Sequence, residues 1–428
     1  SYITCLVCET ELVHDVALIG NATPIGSIPV NTAVPLAINA VGPGSKRISH
    51  EPTSTDIILQ PGVYSVEYSA STVDSLDQNV IPGVQLRLND ELLPLTSSFV
   101  IANDTPENSQ VLAGGGIITV TEENSVLNLV TVVGSIVFKD VVSIRVFDIP
   151  DTDYALLGNV RPIGAIPVDT AIPLVNTVGP VGPNISHKLA DTTDIILQPG
   201  LYSVEYSADP VQGETSGIHA GVQLRLNGTL IPLTNSFIIG SEYANRSKVL
   251  TGGGIVNVTE ANSILNLVTI FGGIVFKGIT SMRIFKIPTN EAALIGFPTP
   301  IGVVEKNQPV PFSLNSVGPI GMNIAHEPLS PNIILQPGVY SVEYTASPVD
   351  FPNSMSGNTG IQLRLNGTLL PLTNSFVVGN EPARYSQTLA GGGIVNVTEA
   401  HSVLNVATIR GSMNFIGNMS VRIVKLEQ

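Results

Sequence analysis

The chain has 428 residues and a net charge of −15, and it is only 12% charged against 43% hydrophobic. Phosphate binding needs a basic face, so this balance argues against a nucleic-acid partner and disfavours an anionic membrane surface. No apolar run reaches the roughly 18 residues of a membrane-spanning helix, so no membrane span is expected. With 40 glycines and 31 prolines, the Val-, Ile-, Thr- and Leu-rich runs are cut into short segments that suit strands better than helices.

Residues 1–16 come first and have no counterpart elsewhere in the chain. They read as an apolar, β-branched connector arm that carries the only two cysteines, Cys5 and Cys8. Their spacing matches half of a zinc site, with His14 as the nearest further ligand, or a redox pair. No alternating strand–helix setting for a thioredoxin-like motif is present, and inter-chain disulfides are the preferred reading over zinc or free thiols. A strand of this character without a partner is a sticky edge. Tyr2, Ile3, Cys5, Leu6, Val7 and Cys8 are therefore expected to add as a strand to a neighbouring subunit. Such head-to-tail docking does not close on itself and generates a filament.

The rest of the chain is one unit written three times. Ile-Ile-Leu-Gln-Pro-Gly ends at Gly62, Gly200 and Gly338, and Gln-Leu-Arg-Leu-Asn begins at Gln85, Gln223 and Gln362. A Gly-Gly-Gly-Ile run begins at Gly114, Gly252 and Gly391. The copies are placed at 17–154, 155–292 and 293–428, each far longer than a solenoid repeat of roughly 20–50 residues. In the first copy, strands are predicted at 56–60, 63–68, 84–88, 98–102, 117–121, 125–132 and 142–147. Several short strands with turn signals between them predict a β-sandwich or jelly roll. The triple-Gly runs lack the Lys-Ser/Thr of a phosphate loop and read as close backbone approaches within a strand. No nucleophile elbow or metalloprotease motif occurs, no cofactor is implied, and the chain is not expected to be an enzyme.

In the second copy, "ISHKLADTTDIILQPGLYSVEYSA", "GVQLRLNGTLIP", "NSILNLVTI" and "SMRIFKI" follow one another in order. This order resembles the C-terminal jelly-roll domain of BclA-type exosporium glycoproteins and, more distantly, the C1q/TNF-like superfamily. The resemblance covers each copy nearly end to end, but the chain has no Gly-X-Y collagen stalk. It implies an all-β chain of three tandem C1q/TNF-like jelly rolls. Because that family trimerises from separate chains, the fused copies are expected to form an intramolecular pseudo-trimer.

The resemblance also implies an inner sheet in which the Tyr64 strand and the last strand are neighbours. Alternation then points Tyr64, Val66, Tyr68, Ile144 and Val146 into the sandwich and Glu67 and Arg145 towards the axis. Each copy would repeat the pair: Glu67 with Arg145, Glu205 with Arg283, and Glu343 with Arg422. His50, His187 and His326 also recur; a three-histidine metal site on the axis is one reading, but a polar residue at a strand start, hydrogen-bonded locally or exposed, is the preferred one, and no metal is expected. The functional expectation is a structural subunit of a bacterial, spore-surface fibre or appendage. Its partners would be copies of itself, with a spore-coat anchor or a tip protein besides, and its place the extracellular face. The alternative is an adhesin or lectin-like binding module.

Overall fold

The computed structural model describes residues 15–44, 46–75, 80–99, 110–215, 219–239, 248–350, 357–379 and 387–426. Among these there is no helix. The first copy contains β1 (Val16–Asn21), β2 (Gly26–Ile28), β3 (Ile38–Val41), β4 (Ile48–His50), β5 (Ile57–Leu59), β6 (Gly62–Ser75), β7 (Gly83–Leu88), β8 (Glu91–Leu92), β9 (Ser98–Phe99), β10 (Gln110–Val120), β11 (Ser125–Val132) and β12 (Ile136–Ile149). An inner sheet runs β10-β6-β12-β1-β3 with β2 on β12, and an outer sheet runs β4-β5-β11-β7-β8 with β9 on β7. The same two sheets recur in β13–β24, from Tyr154 to Lys286, and in β25–β36, from Ala292 to Lys425. The chain is three jelly-roll sandwiches.

The strands form where the residues alternate. Along β6, Tyr64, Val66, Tyr68 and Ala70 enter the sandwich core with Ile144 and Val146 of β12. The buried tyrosine hydroxyls are not orphaned. Tyr68 donates to the Thr96 carbonyl at 2.6 Å and Tyr206 and Tyr344 repeat the bond to Thr234 and Thr373 at 2.7 and 2.6 Å, so each ties one sheet to the other. Asn89 and Asp90, with φ of 48° and 67°, form the two-residue hairpin between β7 and β8, and Asn227-Gly228 and Asn366-Gly367 repeat it.

Several elements are longer or more numerous than predicted. β6 runs on to Ser75, and β10 starts at Gln110 and carries the triple-Gly run inside it. β12 starts at Ile136 because a bulge at Lys139-Asp140 shifts its register against β6 and lets the strand continue. The short strands β1 to β4 were not foreseen individually. β1, β13 and β25 open the three sandwiches at Val16, Tyr154 and Ala292, and the connections between the copies are Pro150–Asp153 and Ile287–Glu291.

The three sandwiches close into a ring. β10, β22 (Lys248–Val258) and β34 (Gln387–Val397) all touch one another, so the pseudo-threefold axis runs between them. In each seam the β9-type strand of one copy lies against the β6-type strand of the next: β9 on β18 (Gly200–Gly213), β21 (Ser236–Ile239) on β30 (Gly338–Asp350), and β33 (Ser375–Gly379) on β6. Each sandwich has its own apolar core, and a fourth apolar cluster draws on all three copies. It includes Leu18, Phe147, Leu201, Phe285, Leu294 and Val424, with the Phe147 and Phe285 rings edge to face at 5.8 Å.

This shared core should hold the copies together without the linkers. Protease sites placed in Pro150–Asp153 and Ile287–Glu291 should give three fragments that still co-elute by size exclusion. Separation into soluble single sandwiches would show the shared core to be too weak.

Candidate functional site at the axis between the copies

The face of β6 that points away from its own core carries Ser65, Glu67, Ser69 and Ser71, and all four are buried. In most antiparallel sheets the polar half of such an alternation meets water. Here it meets the next copy. Opposite Glu67 in register stands Arg145 of β12, and Glu205/Arg283 and Glu343/Arg422 stand likewise on β18/β24 (Ile274–Lys286) and β30/β36 (Met413–Lys425).

The pairing within a copy that the register suggests is not the bond that forms. Arg283 binds Glu67 with Nε–Oε1 and Nη2–Oε2 both at 2.8 Å. Arg422 binds Glu205 at 2.8 and 2.9 Å, and Arg145 binds Glu343 at 2.9 and 2.8 Å. Each arginine therefore reaches the glutamate of a different copy, and the three bonds run in one sense around the ring. Side chains opposite one another on neighbouring strands lie side by side, whereas the guanidinium from the next copy arrives head-on and satisfies both carboxylate oxygens.

Two further features complete the site: hydroxyls that the sequence reading did not single out, and the triple-Gly runs, which it read only as close backbone approaches. The remaining guanidinium protons go to hydroxyls: Arg145 to Ser69 and Ser143, Arg283 to Ser207 and Ser281, and Arg422 to Ser420 and Thr345. These residues sit two positions along the strand from Glu or Arg, so the same alternation could have found them. The middle glycine of each triple-Gly run stands opposite the glutamate in register. A methyl group on Gly115 would lie 2.7 Å from Glu67 Oε2, and one on Gly253 or Gly392 would lie 2.8 Å from Glu205 or Glu343. The middle glycine of each run leaves the space into which a carboxylate folds.

Burial governs the electrostatics. It pushes the Glu205 carboxyl up to about 7, which Arg422 offsets only in part, and it moves Glu67 upward against the pull of Arg283. Burial also disfavours the three guanidinium charges, but the carboxylates outweigh it and hold each arginine above its usual range.

Around this shared layer the seams differ. Asp209 stands where the other copies have Ser71 and Ser347. Its carboxylate accepts from Ser98 Oγ at 2.7 Å and from the Phe99 N–H at 3.2 Å across the first seam. In the second seam Ser347 meets Ser236 and Phe237, and in the third Ser71 accepts from the Phe376 N–H at 3.0 Å. Asp209 has no ion-pair partner among the described residues, and burial pushes it up to about 7.

The histidines are not on the axis. His50, His187 and His326 lie in β4, β16 (Ile185–Lys188) and β28 (Ile324–His326), edge strands of three separate outer sheets. His50 bonds Asn39 at 2.6 Å and the Ser54 carbonyl at 3.1 Å, His326 repeats this with Asn315 and Ser330, and His187 bonds the Thr192 carbonyl at 3.1 Å. The three-histidine axial arrangement is thus corrected: each ring serves as a local strap on its own loop. No group of three or more His, Cys, Asp or Glu side chains among the described residues is disposed to hold a metal. Tyr2, Ile3, Cys5, Leu6, Val7 and Cys8 lie outside the described residues.

No family model matches this sequence, and no curated protein matches it. Among solved structures it is similar to a triple jelly-roll protein described with the turret assembly of an archaeal virus, at 10% identity, covering 96% of this chain and 91% of that one with a TM-score of 0.18. It is also similar to dimeric latent PorU from Porphyromonas gingivalis, at 10% identity, 82% of this chain and 33% of that one, with a TM-score of 0.17. Likeness at that level bears on neither residues nor function.

Two outcomes follow for stability. Glu67→Gln leaves the Arg283 guanidinium buried without its counter-charge and should lower unfolding free energy by about 3–5 kcal/mol, read from denaturant titration. The double variant Glu67→Leu/Arg283→Met should recover part of that loss. The second outcome concerns pH. Glu205 and Asp209 rise from ordinary values of 4.5 and 3.8 to about 7, so the folded chain binds more protons than the unfolded one between those limits. Stability should therefore fall as pH rises through that window. Asp209→Ser should reduce the difference between denaturation midpoints measured at about pH 5.5 and about pH 8.

Proposed function

We propose that the chain is a structural subunit of a bacterial surface fibre, a spore appendage on the C1q/TNF-like and BclA-type resemblance, and that it polymerises head to tail through its N-terminal arm. The observation that carries this reading is the polarity of the ring. Val16 pairs with Phe147, Tyr154 with Phe285 and Ala292 with Val424, so the first strands and last strands of all three copies meet at one end. The root of the arm at Asp15 sits there too, its N–H donating to Asp148 Oδ1 at 2.9 Å while Arg47 pairs with Asp148 at 3.0 Å. β6 ends and β10 begins at the opposite end, because the two pair antiparallel from Gly62/Val120 to Val73/Gln110. An arm rooted at one end of a directional ring supports the reading that it docks on the far end of the next subunit.

The axial layer supports a structural role rather than a catalytic one. Its charges are paired and largely buried, and its guanidinium groups are also bonded to hydroxyls, so they are engaged with one another rather than offered to a substrate. Cys5 and Cys8 would lie at the junction and could bond between subunits in an oxidising setting. A spore-coat anchor and a tip protein are the further partners this reading implies. An adhesin or lectin-like module is the second reading, since jelly rolls host both roles.

Electron microscopy of the purified chain tests the proposal. Regular filaments are expected from the full chain, and none from a chain lacking residues 1–14, a cut that spares the buried Asp15. Fibres from the truncated chain would overturn the role of the arm. Cys5→Ser/Cys8→Ser should still polymerise, with fibres that dissociate more readily in denaturant and heat. Discrete particles that bind glycans would favour the second reading.

A further inference from the structure

The three seams of the ring are built alike but are not tied alike. Pro150–Asp153 joins the first copy to the second and Ile287–Glu291 joins the second to the third, whereas the first and third copies are not consecutive. Their seam is held by non-covalent contacts alone. At that seam the structure adds an ion pair that, among the described residues, the other two lack.

Asp140 sits in the bulge of β12, where pairing with β6 shifts between Phe138 and Val141, and it is 4% exposed. Arg410 of the third copy reaches it with both terminal nitrogens: Nη1 bonds Oδ2, and Nη2 lies 3.3 Å from Oδ1. The same guanidinium lies over the Phe376 ring, 3.8 Å from its centroid. Phe376 in turn donates its N–H to Ser71 of the first copy. A cation held between a carboxylate and an aromatic face is favoured on both sides.

The repeat shows that this is an addition. The positions equivalent to Asp140 are Gly278 and Gly417, and those equivalent to Arg410 are Val133 and Phe271. At the two linked seams these positions bring no charge. Phe271 lies edge-on to Phe237 of its own copy, at 5.5 Å and 70°.

We propose that Asp140, Arg410 and Phe376 form a latch that keeps the unlinked seam closed within one chain, and that a chain without it opens there and pairs its third copy with the first copy of another chain. Opening this seam breaks no covalent tie. It would uncover Leu18, which lies against the Gly393 region of β34, and with it part of the shared apolar core. The surface that fits the uncovered first-copy face is the third-copy face of a second copy of this chain, so the swap restores the apolar contacts of the seam. Closure within a chain wins through effective concentration and the latch together.

Hydrogen exchange by mass spectrometry on the full chain, seam by seam, tests this. Arg410→Val and Asp140→Gly should each raise exchange in β1 and β34 roughly fivefold to tenfold, while β9 and β18 at the first seam stay as in the wild type. Light scattering of the soluble fraction should show two-chain species that grow with protein concentration. Asp140→Gly/Arg410→Val, which copies the uncharged pair of the linked seams and leaves no carboxylate unpaired, should open as the single variants do. Wild-type exchange at β1 and β34 in Asp140→Gly and in the double variant would overturn the latch. The readout is local to one seam, so it does not depend on whether the chain forms fibres.

Discussion

Everything about this ring depends on a charge exchange at its centre. Three arginines and three glutamates are largely taken out of water and, among the described residues, find their ion-pair partners only in another copy. Desolvating six charges costs more than any surface ion pair returns, so the layer is tolerable only when each guanidinium meets a carboxylate with both bonds made. That condition is met in one arrangement: all three copies present, in one rotational setting, with each arginine reaching across a seam. The apolar cluster around it supplies attraction without direction. The ion pairs supply the direction.

The surrounding residues follow from that demand. Ser69, Ser143 and their equivalents take the guanidinium protons that the carboxylate leaves over. In the triple-Gly strand a Cβ on the middle glycine would displace a carboxylate, while one on the first or third would meet a core tyrosine hydroxyl or a threonine methyl. Strands poor in apolar residues on one face are thus buried on both. The chain can be sparse in charge and still place three of its 19 basic residues where water does not reach.

Fusion of the copies has let the seams diverge. Separate identical chains must make three identical interfaces, whereas here Asp209 replaces a serine at one seam and Arg410 meets Asp140 at another. The shared axial layer holds the geometry constant while the periphery of each seam carries its own chemistry.

The spacing of repeats determined that there are three equal domains, and the alternation in Tyr64–Tyr68 determined which residues enter each sandwich. The same alternation set Glu67 and Arg145 on the face away from the core, because a period of two leaves no other side. Sequence could not decide which glutamate an arginine binds, since register within a sheet brings Glu67 and Arg145 just as near in the strand diagram. It could not decide that a polar strand face is buried, because alternation looks the same whether its polar half meets water or another domain. Nor could it place His50, His187 and His326, whose threefold recurrence fits an axis or three outer edges equally well. Those choices belong to tertiary structure, where the distances between copies are set by how three sheets close around one line.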